Sequence, residues 1–589
     1  MHYNQNEKLI NNQQYQGEKL HPNIAYGPTT SRGCKDIFFL IIYIIFWGGL
    51  IAIALLATKT GDPKRLASPF DPNGVQCGYG QAQDFPYLYF ADSLSLKQQN
   101  YACVKNCLSQ KDIDKGLKIE CLVNISIKNC TQLNIYSTIK FVSICIPTQS
   151  DAAKYIQKQL NIGEPEQWMS DLRTSWPILI AVTVISFFIA LIFLLLMRLC
   201  AGAITWMLII GYFVLLIVLG VLCIYKSYQD TSNLPKNLQN QDILQGLGYF
   251  FLILAGFSLI VFMCLFSKIK KSIAIMKAAS DFTKEVPQSF LIPIIMCIAI
   301  IGFFAFWIVI SLYIFSSGEI MNKPENPFAS IKWNKGVKRC LLYYLFGLFW
   351  NIEFAIGMSQ LIIASCVCMW YFSHRPGGEF NSPISKSFCR AFTFHLGSVC
   401  LGSMIIGIVI LVNFFVNLFY DQIKTNVSGN ETANFCMKCC KCCINCFEKF
   451  IRFINTNAYI MIALSGDGFC SGAKKAFYLI FRNAAQFSIT HGVGKIFVYF
   501  GKLFIFTFTT IIGYVLLTSI PQYNEKLYSP GIPILMFAII SYTVGSIFMN
   551  IYGIAADSLL MCLCSDKELN QGKASSCPAT LQEFENEYM

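Results

Sequence analysis

The sequence predicts an all-α fold: a polytopic membrane helix bundle of about ten spans, with a small disulfide-bonded extracellular domain between the first two. Three observations predict it. Hydrophobic residues make up 54% of the 589 and charged residues only 13%, with a mean hydropathy of +0.50. The apolar residues fall in runs of roughly 18 or more, the length a helix needs to cross a bilayer. The longest polar insertion between such runs holds six cysteines. In hydrocarbon every backbone N–H and C=O must be paired within its own segment, so the runs are helices and not strands.

Residues 1–36 are polar and rich in Asn and Gln, as in Asn11-Asn12-Gln13-Gln14, and read as a disordered cytosolic tail. Nine apolar runs follow, at 37–57, 177–197, 203–225, 243–266, 290–315, 341–371, 394–420, 496–519 and 532–556. The first acts as an uncleaved signal anchor. The rest divides into a Cys-rich extracellular domain (58–176), a transmembrane core (177–420), a Cys-rich and amphipathic connecting region (421–495), a C-terminal transmembrane hairpin (496–565) and a cytosolic tail (566–589).

The 58–176 segment carries Cys77, Cys103, Cys107, Cys121, Cys130 and Cys145, and the sequons Asn124-Ile-Ser126 and Asn129-Cys-Thr131. An even cysteine count with glycosylation sites at Asn124 and Asn129 predicts an oxidised, external face. Six cysteines allow 15 pairings, and the spacing does not choose among them. With this domain outside, the 267–289 loop falls inside with Lys268, Lys270, Lys271, Lys277 and Lys284, as the positive-inside rule requires. The 316–340 loop, outside, goes against the rule with Lys332, Lys335, Lys338 and Arg339. Nine runs would leave the termini on opposite faces; a further crossing or re-entrant stretch within 447–482 restores both to the cytosol.

The net charge of +13 is read as loop charge, and nucleic acid is not an expected partner. No Walker A loop, nucleophile elbow or HExxH is present, so an ATP-driven pump or a hydrolase is not expected, and neither is a cofactor or metal. The cluster Cys436 to Cys446 has two Cys-x-x-Cys spacings, yet Cys439-Cys440-Lys441-Cys442-Cys443 beside a membrane helix suits palmitoylation if the segment is cytosolic. Zinc binding and external disulfides are the alternatives.

Within the nine runs Glu353 is the only Asp or Glu. Lys502 and His395 stand near helix starts, where they can snorkel or face water. An ionisable group inside a membrane helix is costly and is a functional candidate. Phe346, Trp350, Glu353, Gly357 and Gln360 share one helix face. Aromatic rings with one anion are what a quaternary ammonium group needs, because it has no N–H to donate and is held by ring faces and charge. Trp307, Tyr343 and Tyr344 are candidates to complete such a cage. The candidate substrate residues are therefore Glu353, Trp350, Trp307, Tyr343 and Gln360. The blander reading makes the rings packing residues, and makes Gln360 an interhelical hydrogen-bonding group.

Further motifs carry a family likeness. Gly61-Asp62-Pro63-Lys64-Arg65-Leu66 with Asp71-Pro72-Asn73-Gly74-Val75-Gln76-Cys77-Gly78 resembles a signature of the choline transporter-like solute carriers. So do Phe85-Pro86-Tyr87-Leu88-Tyr89-Phe90, the pair Cys103 and Cys107, and Phe349-Trp350-Asn351-Ile352-Glu353-Phe354. The same holds for Cys442-Cys443, Glu448-Lys449-Phe450, Asn457-Ala458-Tyr459, Asp467-Gly468-Phe469-Cys470, Ala473-Lys474-Lys475-Ala476-Phe477 and Asp557-Ser558-Leu559-Leu560-Met561-Cys562. The usual lysine-proline-tyrosine tail motif is missing after Asp566. The resemblance implies a sodium-independent carrier of choline or a related cationic amine such as ethanolamine, with proton exchange as the coupling. It implies the plasma membrane, or mitochondrial and other internal membranes, as location. The expected mechanism is alternating access with Glu353 as counter-ion and Trp350 and Trp307 as ring faces. The competing expectation is a membrane scaffold or receptor acting through the extracellular domain.

Overall fold

The computed structural model describes residues 20–582 apart from 21, 72, 91–100, 124–129, 131–132, 142, 148–164, 229–240, 324–325, 376–379, 381, 427–430 and 525–529. Among the described residues, nine helical segments are long and apolar enough to cross a membrane. The helices are α1 (Ile37–Thr60), α2 (Pro165–Ser227), α3 (Gln241–Glu285), α4 (Leu291–Ser316), α5 (Lys335–Ser373), α6 (Pro383–Phe394), α7 (Leu396–Asn426), α8 (Glu431–Ser465), α9 (Phe469–Arg482), α10 (Ala484–Ser519) and α11 (Gly531–Leu569). Many of their large apolar side chains face outward, such as Ile45, Ile253 and Ile298. Water does not tolerate so continuous an apolar belt, and lipid requires it.

Two features differ from the sequence reading. The runs at 177–197 and 203–225 lie on one uninterrupted helix, α2, because the residues between them contain no proline and a single glycine, Gly202. The expected 267–289 loop is mostly helix, the C-terminal part of α3. Its lysines alternate with an apolar stripe of Ala274, Ile275, Met276, Ala278, Ala279 and Phe282 that is buried in the main core.

The polar domain folds as a four-stranded sheet of β1 (Tyr87–Phe90), β2 (Tyr101–Val104), β3 (Thr138–Phe141) and β4 (Ile144–Pro147), in the order β2-β1-β4-β3. The outer pairs are antiparallel, and β1 meets β4 in parallel at Leu88 and Ile144. All six expected cysteines are oxidised, and the open pairing is resolved as Cys77–Cys103, Cys107–Cys145 and Cys121–Cys130. The sulfurs replace part of the core that so small a unit cannot build. Asn124 and Asn129 lie outside the described residues.

Contacts fix which helix ends share a level. At the domain end, Gly61 after α1 lies against Tyr313 and Ser316 of α4. At the opposite end, Asp36 accepts hydrogen bonds from Ser398 Oγ (2.6 Å) and the Phe469 backbone N–H (2.7 Å). The N-terminus of α7 and the C-terminus of α8 are thereby placed beside the start of α1. Helix α8, 35 residues or about 52 Å long, thus runs from the domain end back to the tail end. It begins well before the stretch 447–482 in which a further crossing was expected. Its first half is polar and rich in cysteine, so hydropathy alone misses it. Residues 22–36, expected to belong to a disordered tail, lie along this end: Ile24 is buried in the main core, and the Thr29 N–H bonds the Leu464 carbonyl at 3.0 Å.

Candidate functional site

Glu353 sits at the middle of α5, buried with 6% of its side chain exposed. The sequence reading leaves it without a basic partner, and the structure corrects this. Arg452 of α8 donates from Nη1 to Glu353 Oε1 at 2.9 Å and from Nε to Glu448 Oε1 at 3.0 Å. Glu448 stands one turn before Arg452 on the same helix, so an i,i+4 pair holds the guanidinium in position. On the far side, Asn413 Nδ2 of α7 donates to Glu448 Oε2 at 2.6 Å and to Asn445 Oδ1 at 3.0 Å. Three helices therefore converge on two carboxylates and one guanidinium. The formal sum is one unit of negative charge. Arg452 keeps 38% exposure, so the cluster is open on one side.

Small residues let α5, α7 and α8 approach. A Cβ on Gly357 would stand 2.8 Å from the Tyr459 hydroxyl, and one on Gly402 2.5 Å from both that hydroxyl and Asn455 Oδ1. This close packing of small residues is the usual device of membrane helices.

The expected aromatic face is present but closed. Trp350 is 2% exposed. Its ring meets Tyr43 at 5.1 Å, Phe46 at 4.8 Å and Phe346 at 5.4 Å, and its indole N–H donates to the Cys400 carbonyl at 3.2 Å. Trp307 Nε1 donates to the Tyr344 carbonyl at 2.8 Å, and the Tyr343 hydroxyl to the Phe46 carbonyl at 2.9 Å. These rings tie α1, α4 and α5 together, while Glu353 points toward α8. The heptad face thus divides between two neighbours.

Gln360 lies elsewhere again. The Thr456 hydroxyl approaches Gln360 Oε1 at 3.5 Å, and both line a cavity of about 190 Å³ with His491, Lys495, Asn550 and Asp557. His491 Nδ1 is 3.3 Å from Asp557 Oδ1. Because Thr456 is one turn from Arg452, the cluster and this cavity form one polar track between α5, α8, α10 and α11.

Other expectations change with helix length. α10 begins at Ala484, so Lys502 lies mid-helix, with its ammonium 5.9 Å from the Tyr542 ring centroid. His395 does not face water. It is 1% exposed between α6 and α7, beside Arg32 Nη1 at 3.1 Å. Burial first, and the Arg32 charge second, push its pKa down to about 4. Cys439, Cys440, Cys442 and Cys443 are exposed free thiols on the half of α8 nearer the domain end. The condition attached to palmitoylation was a cytosolic segment.

Arg452 and Glu448 are the residues sequence reasoning missed. Their i,i+4 spacing just ahead of the apolar stretch 458–464 was the available signal.

A helical bundle with a lipid-facing apolar surface and ionised groups between its helices defines a polytopic integral membrane protein. A family profile described as "Plasma-membrane choline transporter" matches residues 249–568, and the chain belongs to this choline transporter-like family. It is 28% identical over 595 residues to choline transporter-like protein 2 of Dictyostelium discoideum, covering 93% of each chain. It is 25% identical over 636 residues to choline transporter-like 1 of Aedes aegypti, covering 93% of this chain and 91% of the relative. With choline transporter-like protein 4 of Xenopus laevis it shares 25% over 682 residues, covering 95% of each.

Proposed function

We propose that this protein carries choline, or a related cationic amine such as ethanolamine, across the plasma membrane by alternating access, independently of sodium and in exchange for protons. The observation that carries the reading is the unbalanced cluster: Glu353 and Glu448 share one guanidinium, Arg452, inside the bundle. A buried negative charge is costly unless a cation completes it. A quaternary ammonium group is such a cation, and it needs no hydrogen-bond acceptor. When Arg452 swings toward Glu448, Glu353 is free to take the substrate's charge. Trp350, Trp307 and Tyr343 lie on the same helix or its neighbour, and a shift of α1 against α5 would open their faces to the methyl groups. When no amine is bound, a proton on one carboxylate completes the charge, which gives exchange without a second ion site. The disulfide-bonded domain faces outside, and α8 supplies the return crossing from the domain end to the tail end that hydropathy alone misses.

The test is uptake of labelled choline into cells lacking their own carrier, with sodium replaced by potassium and with an imposed proton gradient. Expected are uptake unchanged by the sodium replacement, uptake driven by the gradient, and competition by unlabelled ethanolamine. Uptake no greater than in cells without the protein overturns the reading.

A further inference from the structure

A second cavity of about 190 Å³ lies at the tail end, between the N-terminal segment, the end of α5 and the start of α6. Its charged lining residues are Arg375, Lys386 and Arg390, and no carboxylate lines it among the described residues. Lys386 and Arg390 are one turn apart on α6, so both project from the same face. Arg390 Nη1 is buried without a hydrogen-bond partner among the described residues. A buried guanidinium nitrogen left unpaired costs free energy, and native structures seldom keep one without a role. Arg375 donates from Nη1 to the Tyr26 carbonyl, a neutral acceptor, and no salt bridge from Arg375 is found among the described residues. Like charge adds to the cost, because Arg390 lies near enough to Arg32 to disfavour that group's protonation. Burial likewise moves the Arg390 guanidinium below its ordinary pKa.

We propose that this cavity binds a phosphate-bearing anion, whose oxygens accept from Arg390, Arg375 and Lys386. Guanidinium forks match phosphate oxygens bidentately, and a flexible ammonium adds a third contact. The volume suits a phosphate with a small substituent and excludes a nucleotide. Its wall includes Tyr26, Gly27 and Pro28, so the anion fastens the N-terminal segment onto α5 and α6. The cavity opens at the end of the bundle that the proposed topology places in the cytosol. Both a free phosphate ester and the headgroup of an anionic lipid have the required chemistry.

The test measures melting of the purified full chain in two arms. One titrates glycerol 3-phosphate in detergent at constant ionic strength. The other compares phosphatidylcholine nanodiscs with and without phosphatidic acid. Expected is a rise in Tm of roughly 2 °C or more in at least one arm, lost in Arg390→Gln and in Lys386→Gln. A rise in the first arm assigns a soluble ester, and a rise confined to the second assigns a lipid. Lys386 is exposed, so its variant keeps the test sound should Arg390→Gln fail to fold. No rise in either arm, or an equal rise in Lys386→Gln, overturns the proposal. So does binding that emerges only in Glu379→Gln, because Glu379, outside the described residues, would then be the internal partner of this cavity.

Discussion

Glu353 of α5 and Arg452 of α8 are joined across 99 residues of sequence by a 2.9 Å hydrogen bond between Oε1 and Nη1. The bond makes α8 part of the bundle in spite of its polar first half. Breaking it from one side leaves a buried carboxylate alone. Arg452→Gln should lower stability by about 1–3 kcal/mol, less than a fully buried pair because Arg452 is 38% exposed, and Glu353→Gln combined with Arg452→Gln should recover much of the loss. Thermal melts of the two variants in detergent check this. A double variant no more stable than the single one would show that the pair does not act as a unit.

Gly402 of α7 leaves α8 room to pack side chains directly against its backbone. Gly402→Ala should cost about 1–3 kcal/mol through overpacking against Asn455, Tyr459 and Phe469. Gly256 of α3 has open space where its Cβ would be, and Gly256→Ala should leave stability unchanged or slightly raise it. Comparing the melting temperatures of the two variants separates packing from helix propensity.

The disulfides close chain segments of different length. Cys107 and Cys145 are 38 residues apart, and Cys121 and Cys130 only 9. On chain entropy alone the longer closure stabilises by about 4 kcal/mol and the shorter by about 3. Cys107→Ser with Cys145→Ser should therefore reduce surface expression more than Cys121→Ser with Cys130→Ser. Surface biotinylation reads the order.

His395 supplies a pH dependence. Its folded pKa is depressed to about 4, against an ordinary value near 6.5, so the unfolded chain binds the extra proton first. The stability that neutral His395 confers is complete above pH 6.5 and is lost as pH falls from there toward 4. Melting temperatures between pH 7 and pH 5 should fall, and His395→Gln, which keeps an acceptor for Arg32, should flatten the slope. An unchanged slope would place the acid sensitivity elsewhere.

The apolar runs, the disulfide-bonded domain and the buried Glu353 were legible in the sequence because each is a local signal: a run, a cysteine cluster, a lone acid. Arg452 was not, because α8 is stabilised by neighbours and not by hydropathy. Its Glu448 and Arg452 are answered from α7 and α5 by Asn413 and Glu353, partners far away in the sequence. The same tertiary cause extends α3, α10 and α11 beyond their apolar runs, since their polar ends pack on protein. Helical spacing puts Trp350 and Glu353 on one face of α5, but periodicity cannot say which neighbour each residue meets, and here they meet different ones. His395 was misplaced for a related reason: the segment that covers it, residues 22–36, has the composition of a tail.

The most direct measurement of the central claim is choline uptake by Glu448→Gln and Glu353→Gln at matched surface expression, in cells lacking their own carrier. Each substitution removes the negative charge left over beside Arg452, so each should cut uptake at low choline by about tenfold or more, the worth of one ~1.4 kcal/mol charge interaction. Uptake undiminished in both variants would contradict the claim that this cluster holds the substrate's cation.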